Sequence, residues 1–249
     1  MTRQNVFIVI AIAIVCLVAG YWLALPAKQV VAPVVGVPMN VISIRDTSSS
    51  QIYAVTGEYP QFGNVTPDFN VAIASYVDAN LSQFKTSAVQ NWQARLATMP
   101  TGTVNTLPAQ SFTFDTSWTP DQINSRYISI IVRLEYFDGG ANETQLLQTF
   151  NYDVAAKKMM TLANLFPNVP GYLSKIATIA IQQLTSSENN NSNGNAVTDM
   201  IQQGAAPMAT NYSNFTFNDD VVNIYFPKYQ VAPGSFGEQE VGIVRSTIN

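Results

Sequence analysis

The sequence predicts an α+β fold: a mostly antiparallel sheet with two main helices, preceded by one N-terminal transmembrane helix. Three observations carry this. Runs rich in aromatic and β-branched residues alternate with period two, as strands do. Two longer stretches place apolar residues at helical spacing. A 20-residue uncharged run, Val6–Leu25, stands near the start.

Taken in order, residues 1–5 are a short cytoplasmic tip and Val6–Leu25 is the membrane anchor. At 1.5 Å per residue the anchor spans roughly 30 Å, the thickness of a bilayer's hydrocarbon core. Tyr21 and Trp22 mark its outer end, where amphipathic rings favour the interface. Pro26 spoils the small-residue cleavage site that a signal peptide needs. Cys16 follows Val15 deep in the run, where a lipoprotein signal does not place it. Residues 26–40 carry three prolines and read as an extended stalk.

The outer domain is expected over residues 41–249. "VISIR" and "QIYAVTGEYPQF" read as strands. Thr66, Pro67 and Asp68 form a helix-start signature. Phe69, Ile73, Val77, Leu81 and Phe84 then give a buried face to a helix over Pro67–Ala97. "QSFTFDTSW", "RYISIIVRLEYF" and "TQLLQTFNYDV" are strands, the latter two joined by "DGGAN". In that turn Gly140 is expected to hold a conformation unfavourable to other residues. Asp153 is expected to cap the following "AAKK" turn. "PGYLSKIATIAIQQL" is the second main helix, and "VTDMIQQGAA" adds a short one. "TSSENNNSNGNA" between them is low-complexity and polar. "NFTF", an "NDD" turn, "VVNIYF" and "EQEVGIVRST" are expected to close the same sheet.

Composition narrows the chemistry. The 249 residues contain no histidine and one cysteine, which excludes His-based triads, His metal sites and an intramolecular disulfide. With 12 basic against 16 acidic residues the net charge is −4, and no basic cluster supports nucleic-acid binding. An enzyme here would need paired carboxylates. Asp219-Asp220 reads as turn chemistry, and Glu238 and Glu240 share one face of a strand, read first as a solvated face and only in the alternative as a pair for a cation or a glycosidic bond. No metal site, cofactor or catalytic residue is assigned.

The segment "YFPKYQVAPGSFGEQEVGI" (225–243) holds the most unusual loop. It reads as a structural loop, with Tyr229 and Phe236 packing down and Pro233 and Gly237 setting bends. The alternative is a recognition loop, since rigid aromatics make good binding anchors. Tyr229, Pro233 and Phe236 are then the ligand-binding candidates.

Three motifs in order resemble a known module: Tyr59-Pro60 before the long helix, "YFDGGANETQLLQTFNYDVAAKKMMTLANLF", and Tyr229 through Gly237. Together they resemble the RsiV-like extracytoplasmic domain, which is also joined to PdaC-like peptidoglycan deacetylases. The carried-over structural positions include Gly139, Gly140, Asn142, Tyr152, Asp153 and Gly237. Asn142 departs from relatives, which often have His there. The resemblance implies a non-catalytic binding or sensing domain of the bacterial envelope. It would sit outside a single-pass membrane helix with its N-terminus inside. The implied ligand is a basic protein such as lysozyme, or peptidoglycan. A carboxylate-dependent cell-wall polysaccharide enzyme and a structural assembly module are the alternatives.

Overall fold

Pairing of the first six strands builds one sheet whose order follows the chain. The computed structural model describes residues 37–46, 52–100, 111–189 and 194–248. The sheet comprises β1 (Met39–Ser43), β2 (Tyr53–Phe62), β3 (Phe112–Ile123), β4 (Tyr127–Phe137), β5 (Thr144–Asp153) and β6 (Lys158–Met159). All neighbours are antiparallel except β2 and β3, which run parallel. A parallel pair needs a long crossover, and helix α1 (Pro67–Thr98) supplies it.

The α1 face is the expected one: Phe69, Ile73, Val77 and Phe84 are buried, joined by Ala88. They meet the alternating side chains Phe112, Phe114, Ile128, Ile130, Val132, Phe150 and Tyr152 in a first core. Thr66 stands at the helix start in extended conformation, yet its side chain makes no capping bond. Tyr152 does that work from the sheet. Its buried hydroxyl accepts the Thr66 N–H at 2.8 Å and donates to the Thr66 hydroxyl at 3.2 Å.

The last strands depart from expectation. Rather than closing the first sheet, β7 (Phe215–Phe217), β8 (Val221–Phe226) and β9 (Gln239–Val244) form their own antiparallel sheet. They bury a second core against α3 (Tyr172–Asn189) and α4 (Gly194–Gly204), with the short α2 (Leu162–Leu165) alongside. Ile176, Ala180 and Leu184 on α3 and Val197 and Ile201 on α4 face Val222, Ile224, Val241 and Ile243 in that core. The physical reason is the other face of the first sheet. Ser129, Thr149 and Asn151 present hydroxyls and an amide there, so the second layer docks through polar bonds.

Hydrogen bonds, most of them buried, close that seam. Phe217 N–H donates to Ser129 Oγ at 2.8 Å, and Ser129 donates to Asn151 Oδ1 at 2.6 Å. Asn151 donates to the Phe215 carbonyl at 2.7 Å, and Phe215 N–H donates to Thr149 Oγ1 at 3.0 Å. Buried polar groups are tolerated when each finds a partner, and here β7 receives its partners from the neighbouring sheet.

Other expectations shift by a residue or a turn. The first strand opens at Met39, inside the stretch read as stalk. In the β4–β5 turn it is Gly139, with a φ of 101°, that takes the left-handed conformation, not Gly140. The helix dictates this: Asn91 of α1 donates to the Asp138 carbonyl at 2.7 Å, and a Cβ on Gly139 would lie 2.7 Å from the Phe112 ring. The polar stretch 185–196 is partly helical, since α3 runs to Asn189 and α4 opens at Gly194. The anchor Val6–Leu25 lies outside the described residues. Among those residues, no helix is long and apolar enough to cross a membrane.

Candidate functional site

The loop after β8 is fixed from below. Val231 and Ala232 are buried. The Gln230 side chain donates to the carbonyls of Gly204 at 2.9 Å and Asn211 at 3.0 Å. Gly204 is needed for that approach, because a Cβ there would stand 2.0 Å from the Gln230 carbonyl oxygen. Downstream, Phe236 N–H bonds the Pro233 carbonyl at 2.9 Å, and Gly237 turns the chain with a φ of 70°.

On this base Tyr229 points outward. It was expected to pack down, but it is 63% exposed. Its φ of 74° is uncommon for any residue but glycine. One ring face is backed by Gly234, where a Cβ would fall 2.2 Å from the ring. Pro233 and Phe236 are half-buried beside it. The loop therefore spends backbone strain on holding an aromatic ring in solvent, the pattern found at ligand clamps.

One groove adjoins the loop, and a second shares Arg133 with it. The first, about 160 Å³, lies between its Lys228 and Glu238 and the β4–β5 residues Arg133, Glu135, Gln145 and Leu147. Arg133 reaches Glu238 with two bonds, at 3.1 and 2.8 Å. Burial works against the Arg133 charge, but the bonds and charge of Glu238 outweigh it and its pKa is raised.

Arg133 also lines the second groove, about 260 Å³, with Asp121, Asn223, Tyr225 and Glu240. Asp121 sits at a β-bulge, where pairing with β4 slips between Pro120 and Gln122; bulges re-aim side chains in this way. Its carboxylate accepts bonds from Thr216 at 2.7 Å, Asn218 at 3.0 Å and Asn223 at 3.0 Å. Burial pushes the Tyr225 hydroxyl up to about 12, with Glu240 and Asp121 adding to the rise. Glu240 is itself exposed, but partial desolvation of its carboxylate raises its pKa, assisted by Glu238 and Asp121 and opposed by Arg133 and Tyr225.

Glu240 sets a pH expectation. Its folded pKa is raised, so the folded chain binds that proton more tightly than the unfolded chain does. The resulting stabilisation is full below the unfolded carboxyl pKa and is lost as pH rises through the folded value. Glu240→Gln should therefore melt slightly higher than wild type at neutral pH. The gap should close toward about pH 4, near the ordinary carboxyl pKa, in melting curves taken across pH.

The remaining sequence candidates are distributed. Gly139, Gly140 and Asn142 form the turn before β5, while Tyr152 and Asp153 end that strand about 30 Å away. Asp153 caps its turn as expected, accepting Ala156 N–H at 2.7 Å. Asp219 and Asp220 lie in the turn between β7 and β8, whose Asn218 Oδ1 accepts the N–H groups of Asp220 and Val221. Asp121, Arg133 and Tyr225 escaped sequence reasoning. Pro120 hid the continuation of β3, and the Arg133–Glu238 pair joins residues far apart in the chain. Among the described residues, no group of three or more acids or cysteines is placed to hold a metal ion.

Residues 163–246 match the DUF3298 family model, described as a protein of unknown function. The match takes in the second sheet, its helices and the Tyr229 loop. A 121-residue stretch is 31% identical to peptidoglycan-N-acetylmuramic acid deacetylase PdaC of Bacillus subtilis strain 168, covering 49% of this chain and 25% of that protein. The chain thus spans about a quarter of its curated relative.

Two crystal structures share the fold. A DUF3298 family member from Bacteroides fragilis superposes with a TM-score of 0.57 at 12% identity, covering 85% of this chain and 92% of the other. A DUF3298 protein from Pseudomonas aeruginosa gives 0.54 at 15% identity, covering 86% and 93%. DUF3298 is the level at which the sequence match and the solved structures agree; RsiV-like is a finer label than they carry.

Proposed function

We propose that the chain is a non-catalytic binding module of the bacterial cell envelope, RsiV-like in its role, held at the extracytoplasmic face of the cell membrane by Val6–Leu25. Its ligand is a cell-wall glycan taken by the Tyr229 loop. One observation carries this: an exposed ring fixed at positive φ and backed by Gly234, with the ring's chain neighbour Lys228 lining a groove of mixed polar and apolar side chains. The C–H faces of sugars suit such a ring, and the groove's Gln and carboxylate groups suit their hydroxyls. The similarity to PdaC, a protein named for peptidoglycan, agrees with a wall ligand. The carboxylates argue against turnover: Asp121 is occupied by three donors and Glu238 by Arg133.

Co-sedimentation of the full chain with purified peptidoglycan tests the reading. Wild type should pellet with the polymer, and Tyr229→Ala should lose at least about tenfold in affinity, as interface hot spots do. Its melting temperature should stay within a degree or two of wild type, the usual result for an exposed side chain. Equal pelleting of both proteins would sink the proposal. The acidic balance of the chain favours a second reading, a basic protein partner such as lysozyme; capture of lysozyme in place of glycan would select it. Glycan hydrolysis or deacetylation that disappears in Glu240→Gln would instead establish a carboxylate enzyme.

A further inference from the structure

Which wall glycan fits depends on charge beside the ring, and this step rests on the reading above. Two cations line the groove next to Tyr229. Arg133 is already neutralised by Glu238 at 2.8 Å. Lys228 is different: among the described residues it forms no ion pair, the pairs there being Lys85–Asp46 and Arg133–Glu238. Its ammonium stands 5.6 Å from the Tyr229 ring centroid, so the two groups present one combined surface. Glu135 is the groove's other uncommitted charge, and it belongs to β4 rather than to the loop.

A neutral sugar would use the ring and leave Lys228 idle. A sugar with an anionic substituent uses both, since an ammonium meeting a carboxylate or phosphate forms a strong charge-assisted bond. We propose that the Lys228–Tyr229 pair is a recognition site for an anionic glycan, with a pyranose ring stacked on Tyr229 and its acidic substituent held by Lys228. Lysine acts here as a compact point charge on a flexible stem, so the site selects for charge rather than for a planar bidentate group.

The test measures binding of the full chain to three probes. The first is peptidoglycan glycan strands stripped of both phosphate polymers and stem peptides, so that their N-acetylmuramic carboxylates are free. The second is neutral N-acetylglucosamine oligomers, and the third a phosphate-linked polyol polymer. The carboxylated strands should bind at least about tenfold more tightly than the neutral oligomers, the scale of one charge-assisted bond. Lys228→Gln should remove that margin while leaving neutral-oligomer binding unchanged, and Lys228→Arg should retain most of it. Preference for the phosphate polymer, lost in Lys228→Gln, would leave Lys228 an anion site but overturn the proposal, since a polyol chain offers no pyranose to stack on Tyr229. If Tyr229→Ala abolishes binding but Lys228→Gln changes nothing, the charge assignment falls and the glycan-binding reading stands. If no probe binds, both fall together.

Discussion

Gly57→Ala should destabilise the domain by about 4 kcal/mol or more, adding steric displacement to left-handed backbone strain. Gly57 lies in the middle of β2 with a φ of 117°, a conformation that side chains rarely adopt. A Cβ there would fall 2.1 Å from the Thr116 carbonyl oxygen and 2.5 Å from its nitrogen. These are backbone atoms of the strand paired in register with Gly57, so no rotamer change relieves the clash. The β2–β3 ladder must spread, and it is the parallel step that seats α1. Against a total stability of about 5–15 kcal/mol, such a loss moves the denaturant midpoint a long way. An unfolding midpoint within experimental error of wild type would refute the close approach of β2 to β3.

Tyr152→Ala should cost about 3–5 kcal/mol, as truncated buried aromatics do. The ring is fully buried, 4.7 Å from Phe69 between centroids. Its hydroxyl is the acceptor for the Thr66 N–H at the start of α1. Tyr152→Phe separates the contributions: it keeps the packing and removes the two bonds to Thr66, for a loss of about 1–2 kcal/mol. Chemical denaturation of both variants measures this. Equal losses would assign the whole effect to the hydroxyl, and no loss in the Phe variant would deny it a part in holding the helix start.

Much of this was legible in the chain because the signals were local. Thr66-Pro67-Asp68 announced α1, "DGGAN" and "NDD" announced their turns, and Asp153 announced its cap. What escaped depended on distant partners. Alternation in "VVNIYF" marks a strand but does not name the sheet it joins, so sequence alone merges the second sheet with the first. The left-handed residue in "DGGAN" was misplaced by one position because Phe112 and Asn91, from other elements, decide which glycine is crowded. Read as part of a structural loop bent at Pro233 and Gly237, Tyr229 belongs inside. Gly234, five residues later, instead gives the ring a platform on the surface. Asp121 lay hidden behind Pro120, whose ring masks the continuing strand.

The seam at Ser129, Thr149 and Asn151 bears on how this protein can change over generations. Hydrogen bonds prescribe direction and register; they place little demand on volume. Away from the Tyr127–Phe217 ring contact that crosses the seam, each core can therefore drift in size, Phe for Leu or Ile for Val, without a compensating change in the other. The seam residues have no such latitude, because losing one strands a buried partner on β7. The halves on either side are thus separately heritable, joined by a short polar vocabulary. The stretch matching DUF3298 begins after β6, so it holds nearly all of the second core, Leu162 and Ile248 excepted, and leaves the first outside.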